Sequence, residues 1–458
     1  DYADKYLLTA SIRHDGSSNF APENRWGTFP SFSAGWRISE ESFFDVPWIT
    51  ELKLRGSWGQ LGNSDTGASY PFIFRVTTGA DYGLDGERVV KAAVPANFVN
   101  RDLIWETTET ADFGFETVLF DGAFDFATTY YMRDTEDFLV PIPLPDVAGF
   151  GDAPAFGTSP LNSGLVRNTG FEFEAGWTPP QFLRGLGMSV RGNFTTVNNE
   201  LVELTEDLDV YTPASGGFYR TEVGEPIGQF YGYQTCGIYQ TAEAAAAALP
   251  DVTTSEPAQP GDYCFVDVNG DGQISSDDRT ILGKSIPDFY YGLNFNATWN
   301  AFDVGVFFNG VGGIQGYNQV RRDIEVTSGG GSNRSAATLD YWTPENTDTT
   351  IPRAFQGDPN DNNRFSDRWI EDRGYFRLRS LQLGYTFRNG WLGIPPSTRL
   401  YVSGSNLFTI TDYSGLDPEF TTSIDFDSYV SQSATENGTD YGNTPQPRIF
   451  QIGVSTSF

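Results

Sequence analysis

The chain has 458 residues, of which 39% are hydrophobic and 15% aromatic, with 50 glycines and a net charge of −31. That charge argues against a nucleic-acid surface or a polybasic membrane patch, and no stretch reaches the ~18 apolar residues of a membrane helix. Low hydrophobicity with an aromatic excess suits a β-barrel, whose strands are apolar on one side only.

Period-two alternation recurs from end to end. It predicts strands at Lys5–Arg13, Ser31–Ile38, Leu52–Gly59, Asp112–Leu119, Ala123–Arg133 and Phe171–Trp177. It continues at Ser189–Val197, Tyr291–Trp299, Phe302–Asn309, Leu381–Arg388, Arg399–Phe408 and Arg448–Phe458. In the last run Phe450, Ile452, Val454 and Phe458 share one face, and Gln451, Gly453, Ser455 and Ser457 the other. About twelve such runs, each near the ~10-residue span of an outer-membrane strand, predict an all-β, antiparallel transmembrane β-barrel. The face opposite the aromatics carries Asp112, Glu116, Asp125, Arg133, Glu172, Glu174 and Arg191. Unpaired in a soluble sandwich core, each charge would be costly; beside a wet lumen it costs little. An ordinary sheet with its polar face in solvent is the alternative.

Connection lengths carry a second signal. Asp121-Gly122 and Asn300-Ala301 read as tight hairpin turns, and Ser39–Thr50, Thr178–Gly187 and Asn389–Thr398 as short links. Between them lie long loops at Gln60–Leu103, Asp134–Gly164, Asn198–Asp288, Gly310–Gly374 and Ile410–Pro447. Outer-membrane barrels alternate periplasmic turns with extracellular loops in this way. Counting back from Phe458 puts the C-terminus in the periplasm. The chain opens at Asp1 inside a strand-like run with no leader. Plugged nutrient transporters have about 22 strands. The chain, residues 1–458, therefore reads as the C-terminal part of such a barrel, about 12 of about 22 strands, with Lys5–Arg13 near strand eleven. An open sheet with an unpaired edge at each end is expected; a closed twelve-strand barrel would contradict this.

The longest loop, residues 198–287, holds the sharpest local motif. Asp267, Asn269 and Asp271 occupy positions 1, 3 and 5 of an EF-hand-type loop, Gly272 position 6, Gln273 position 7 and Asp278 position 12. Ca²⁺ takes six to eight oxygens. Three side chains, the Gln273 carbonyl and the closing Asp278 carboxylate would supply them, with Ile274 packing inward. Asp278 stands where Glu is usual and reaches less far. An acidic turn without an ion is the plainer reading; the complete spacing favours structural calcium. Cys236 and Cys264 share this loop and permit one pairing, which an oxidising compartment favours as a disulfide.

Other features read as structural. His14, the only histidine, is placed after the first strand beside Asp15, with Ser17 and Ser18 following; without a second base this makes a poor hydrolase. Thr241–Leu249 is an alanine-rich stretch that predicts a short helix decorating the loop. Tyr70, Phe72, Phe74, Tyr82, Phe218, Tyr219, Phe230 and Tyr231 offer stacking faces for sugars or peptides, but packing between loops is preferred.

Several segments resemble the SusC/RagA family of TonB-linked transporters of Bacteroidetes. They are Asp4–Phe20, Phe32–Trp36, Leu54–Asn63, Trp105–Glu116 and Asn168–Glu174, then Tyr341–Asn346, Ser366–Phe387, Ser405–Glu419 and Arg448–Phe458. Their order and coverage make the match specific. The resemblance implies TonB-dependent import of oligosaccharides or peptides across the outer membrane, not enzymatic activity. It implies a SusD-like surface lipoprotein as a lid and TonB acting through an N-terminal region with no counterpart here. A passive porin or structural barrel, and less so an outer-membrane hydrolase, are the alternatives.

Overall fold

The computed structural model describes residues 1–66, 69–84, 88–95, 99–143, 158–180, 185–204, 209–212, 217–326, 333–387, 395, 397–420 and 435–456. Twelve long strands follow one another in a meander. They are β1 (Tyr6–Gly16), β2 (Trp26–Arg37), β3 (Ile49–Asn63), β4 (Glu106–Leu119), β5 (Phe124–Glu136) and β6 (Leu165–Trp177), then β7 (Leu186–Thr196), β8 (Phe289–Trp299), β9 (Phe302–Gly312), β10 (Tyr375–Phe387), β11 (Thr398–Thr411) and β12 (Ile449–Ser455). Each pairs antiparallel with its neighbours in that order. A short strand, Asn198–Glu203, fills the part of the β6 edge that β7 leaves open. Among the described residues β1 and β12 do not pair with each other, so the sheet is open. No described helix is long and apolar enough to cross a membrane.

All twelve predicted runs fall on these strands. Alternation placed the start of four too late by five residues or more: β2, β4, β6 and β10 begin at Trp26, Glu106, Leu165 and Tyr375, not at Ser31, Asp112, Phe171 and Leu381. The added residues lie at the long-connection end, where Asn63 and Gln60 of β3 hydrogen-bond Glu106 and Glu109 of β4. Both faces are wet there, so the polar pattern stops alternating. Phe458, assigned to the last strand, lies outside the described residues. The tight turns form as expected: β8 and β9 are joined by Asn300-Ala301, with Asn300 at φ 53°, and Gly122 at φ 89° closes the β4–β5 turn.

The sheet is apolar on its exposed face. Ile12 is 74% exposed, Phe113 64%, Phe450 76% and Ile452 80%. A water-soluble sheet would cover that face; a bilayer solvates it. Aromatic rings crowd the short-turn end, with Trp48 stacked on Phe120 and Phe302 edge-on to Tyr385. Such rings anchor strands at the membrane interface. The conventional buried core sits instead in the long connections. Trp369, Phe230, Leu201 and Tyr317 are fully buried there.

Candidate functional site

The polar face of the sheet is knitted by cross-strand ion pairs. Glu116 receives both Lys53 Nζ (3.1 Å) and Arg55 Nε (2.9 Å). Arg191 meets Asp125 at 2.9 Å, and Ser57 donates to Asp112 at 2.9 Å. Arg167 grips Asp134 with two bonds of 2.8 and 2.7 Å. Most of these pairs bridge neighbouring strands, whereas Arg191 and Asp125 reach each other across Gly176 of β6, which has no side chain in the way. Half-exposed, they hold register without the desolvation cost of a dry core.

Among the described residues the long connections carry secondary structure of their own. Short strands Val210–Tyr211, Tyr219–Glu222, Gln229–Gly232 and Thr280–Lys284 form one sheet. Gln315–Asn318 lies between Ile370–Asp372 and Thr439–Asp440, tying the β9–β10 connection to the β11–β12 connection. Asp262, fully buried, binds Arg353 through bonds of 2.6 and 3.0 Å and Asn362 at 3.0 Å. Arg377 is 2% exposed and clamps Asp417 and Glu419. Buried Arg373 donates to the carbonyls of Gln315, Phe420 and Ser285, and burial pulls its pKa down to about 10. Sequence reasoning missed this network. Its only signal was the clustering of arginines between Arg321 and Arg379.

The acidic loop has a defined backbone. Asp267 Oδ1 accepts from Gly270 N (2.7 Å) and Oδ2 from Gly272 N (2.9 Å). Hydrogen bonds from Gly272, Gly270 and Asp271 lower the Asp267 pKa against the effect of burial, and the Asp278 carboxyl lies within hydrogen-bond reach. Asn269 Oδ1 accepts from Asp271 N, and Asp271 Oδ1 from Gln273 N (3.0 Å). Asp278, fully buried, accepts from Val268 N (2.9 Å) and Ser275 N (2.7 Å). Gly272, at φ 87°, has the left-handed backbone position 6 requires. Ile274 packs inward against Tyr263 and Phe265. The structure thus brings Asp267 and Asp278 together, while Asn269, Asp271 and Gln273 bond mainly along the turn. Among the described residues no three His, Cys, Asp or Glu side chains gather tightly enough to hold a metal. The mixed donor set of a calcium loop, which uses amide and backbone oxygens, fits in backbone shape and in the Asp267–Asp278 pair.

Cys236 and Cys264 are joined in a disulfide, with Cα atoms 5.0 Å apart. It ties Thr235–Ile238 to Tyr263–Phe265, just ahead of the acidic loop. Thr241 caps the short helix Ala242–Ala246 by accepting from Ala244 N (3.1 Å). Phe218, Tyr219 and Phe230 pack in the loop core, and Tyr231 lies under Arg220 and Arg279. Tyr70 and Phe74 stay exposed, Phe72 is edge-on to Tyr70, and the Tyr82 side chain lies outside the described residues. His14 corrects an expectation. It sits within β1, not after it, stacked on Trp26 and bonded to Thr28 Oγ1 (2.9 Å), while Asp15 pairs with Arg13. The polar run His14–Gly16 hid the strand's end.

Residues 1–407 match the family described as TonB dependent receptor-like, beta-barrel. TonB-dependent receptor P3 of Formosa agariphila is 33% identical over 470 residues, covering 100% of this chain and 44% of its own. TonB-dependent receptor SusC of Bacteroides thetaiotaomicron is 28% identical, covering 99% of this chain and 42% of its own. The RagAB peptide transporter structure superposes with a TM-score of 0.78 at 24% identity, over 98% of this chain and 46% of that one, which supports the fold. The chain thus spans less than half the length of these relatives. With its antiparallel meander, lipid-suited outer face and ion-paired inner face, the chain belongs to the TonB-dependent receptor β-barrel family of the outer membrane.

Proposed function

We propose that this chain is barrel wall and mouth of a SusC-like importer that takes up oligosaccharides or peptides with energy from TonB. The observation that carries the reading is the open twelve-strand sheet, apolar outside and ion-paired inside, aligned from end to end with TonB-dependent receptors. The C-terminus and tight turns face the periplasm, and the packed long connections face outward. A SusD-like lipoprotein covers that mouth, and TonB acts through a region N-terminal to this chain. A sealed lumen cannot leak, so uptake requires work from the inner membrane; a passive porin requires none. The chain's part is transport, not catalysis. Uptake of labelled oligosaccharide and peptide mixtures is measured in the native strain, with and without this gene and with TonB disrupted. Uptake that needs the gene but not TonB would refute the reading.

The acidic loop binds Ca²⁺ in this reading. Asp267, Asn269, Asp271 and Asp278 contribute side chains and Gln273 its carbonyl, closing the loop around the ion. Its role is to stiffen the mouth. Calorimetric titration of the intact protein at millimolar Ca²⁺, with Asp271→Ala as control, tests this; absence of heat in the parent would exclude it.

A further inference from the structure

The inward side of the sheet is not uniform. Charges concentrate on β3–β7, in the pairs that Glu116 and Asp125 make. Three more charged side chains share that face: Arg133 of β5, and Glu172 and Glu174 of β6. All three are exposed, and none has an ion pair among the described residues. Glu172 and Glu174 are two apart on one strand, so their carboxylates point to the same side and repel.

The wall of β8–β12 is the opposite case. Its inward charges stand at the two ends. Asp303 accepts from Arg399 (2.9 Å) near the short turns, and Arg377 and Arg379 are held by Glu419 near the long connections. Between them Asn296, Gly305, Gln382, Ser403 and Gln451 run as one continuous cross-strand row without a charge. The next row, from Asn294 to Ile449, is equally uncharged.

The two walls hold a neighbour differently. A hydrogen bond to a charged group is about twice as strong as one between neutral groups. A polypeptide with basic side chains opposite Glu172 and Glu174, and an acidic one opposite Arg133, is held on the charged wall and only weakly on the neutral one. Amides and hydroxyls both donate and accept, so a molecule moving along β8–β12 trades one weak bond for the next.

We propose that the polypeptide segment filling the lumen is anchored by charge to Glu172, Glu174 and Arg133, and that it parts from the β8–β12 wall, along which substrate passes. The proposal rests on the import reading, in which that segment lies N-terminal to this chain. The intact, full-length importer with its native partners is placed in planar bilayers, where conductance reads opening of the lumen. The parent should be sealed. Glu172→Gln combined with Glu174→Gln should raise the open fraction by about tenfold or more, as for loss of one charge-assisted bond. Glu172→Asp combined with Glu174→Asp keeps the charges and should stay sealed. Asn294→Ala combined with Asn296→Ala, on the neutral wall, should stay sealed too. Uptake by cells reads the path: Ser403→Trp should abolish most of it with no rise in conductance. A sealed Gln pair, equal leakage from the Gln pair and either other pair, or full uptake through Ser403→Trp would overturn the proposal. The two readings fail differently. A sealed parent whose uptake needs TonB, with a sealed Gln pair, refutes the anchoring alone. A parent that conducts freely and takes up substrate without TonB refutes the import reading and the anchoring with it.

Discussion

Replacing Arg353 with Ala would strand a charge in the centre of the mouth. Asp262 is fully buried and would keep only Asn362 Nδ2 (3.0 Å) and Gln259 N (2.8 Å) as donors. Breaking a buried pair from the one side typically costs about 3–5 kcal/mol, because the remaining charge is uncompensated. At about 1.4 kcal/mol per decade, local opening should rise by roughly a hundredfold or more. The converse change, Asp262→Asn, should cost less, since the Arg353 side chain is 20% exposed and can turn to water. Hydrogen exchange on the detergent-solubilised protein reads this directly. The amides of Asp262 and Tyr263, bonded to Gln259 O and Asn362 Oδ1, should exchange much faster in Arg353→Ala. Amides in β8, well away along the sheet, should not change. Acceleration of less than tenfold, or an equal rise in β8, would refute the argument that this pair secures the mouth locally.

Three other outcomes are expected. Glu41, in the link between β2 and β3, has its pKa lowered to about 2, first by the hydrogen bond from Tyr6 and then by those from Lys5 and Trp36. A depressed carboxylate stabilises above its ordinary value of 4.5, and the contribution is lost as pH falls from there through about 2. Trp36 fluorescence should report that loss, and Glu41→Gln should abolish the pH dependence. Reducing Cys236–Cys264, separated by 28 residues, should destabilise the surrounding module by about 3–4 kcal/mol in the chain-entropy account. Protease cleavage between those cysteines should then increase with reductant, and unchanged cleavage would count against it. Leu293→Arg places a charge on the exposed apolar face and should cost about 2–4 kcal/mol of folding into bilayers near the midplane. Asn294→Arg, on the opposite face, should cost much less; equal costs would mean the faces are misassigned.

Much of the wall was legible from the chain alone. Each strand carries its own instruction in alternation, as in Phe450, Ile452 and Val454, and the tight turns announce themselves at Gly122 and Asn300. The calcium-type spacing from Asp267 to Asp278 is legible for the same reason, since its residues are neighbours along one turn. The cysteine pairing was reachable because only two exist.

The mouth was decided only in three dimensions. Asp262 and Arg353 are 91 residues apart, and Asp251 and Arg364 are 113 apart. The parallel pairing of Tyr317 with Thr439 joins segments that share no pattern. No local period marks such contacts, because the partner of a buried charge such as Asp262 is whichever distant segment the barrel brings beside it. Alternation specifies which side of a strand meets lipid, and short turns specify which strands are neighbours. What fills the space above the strands depends on loop packing.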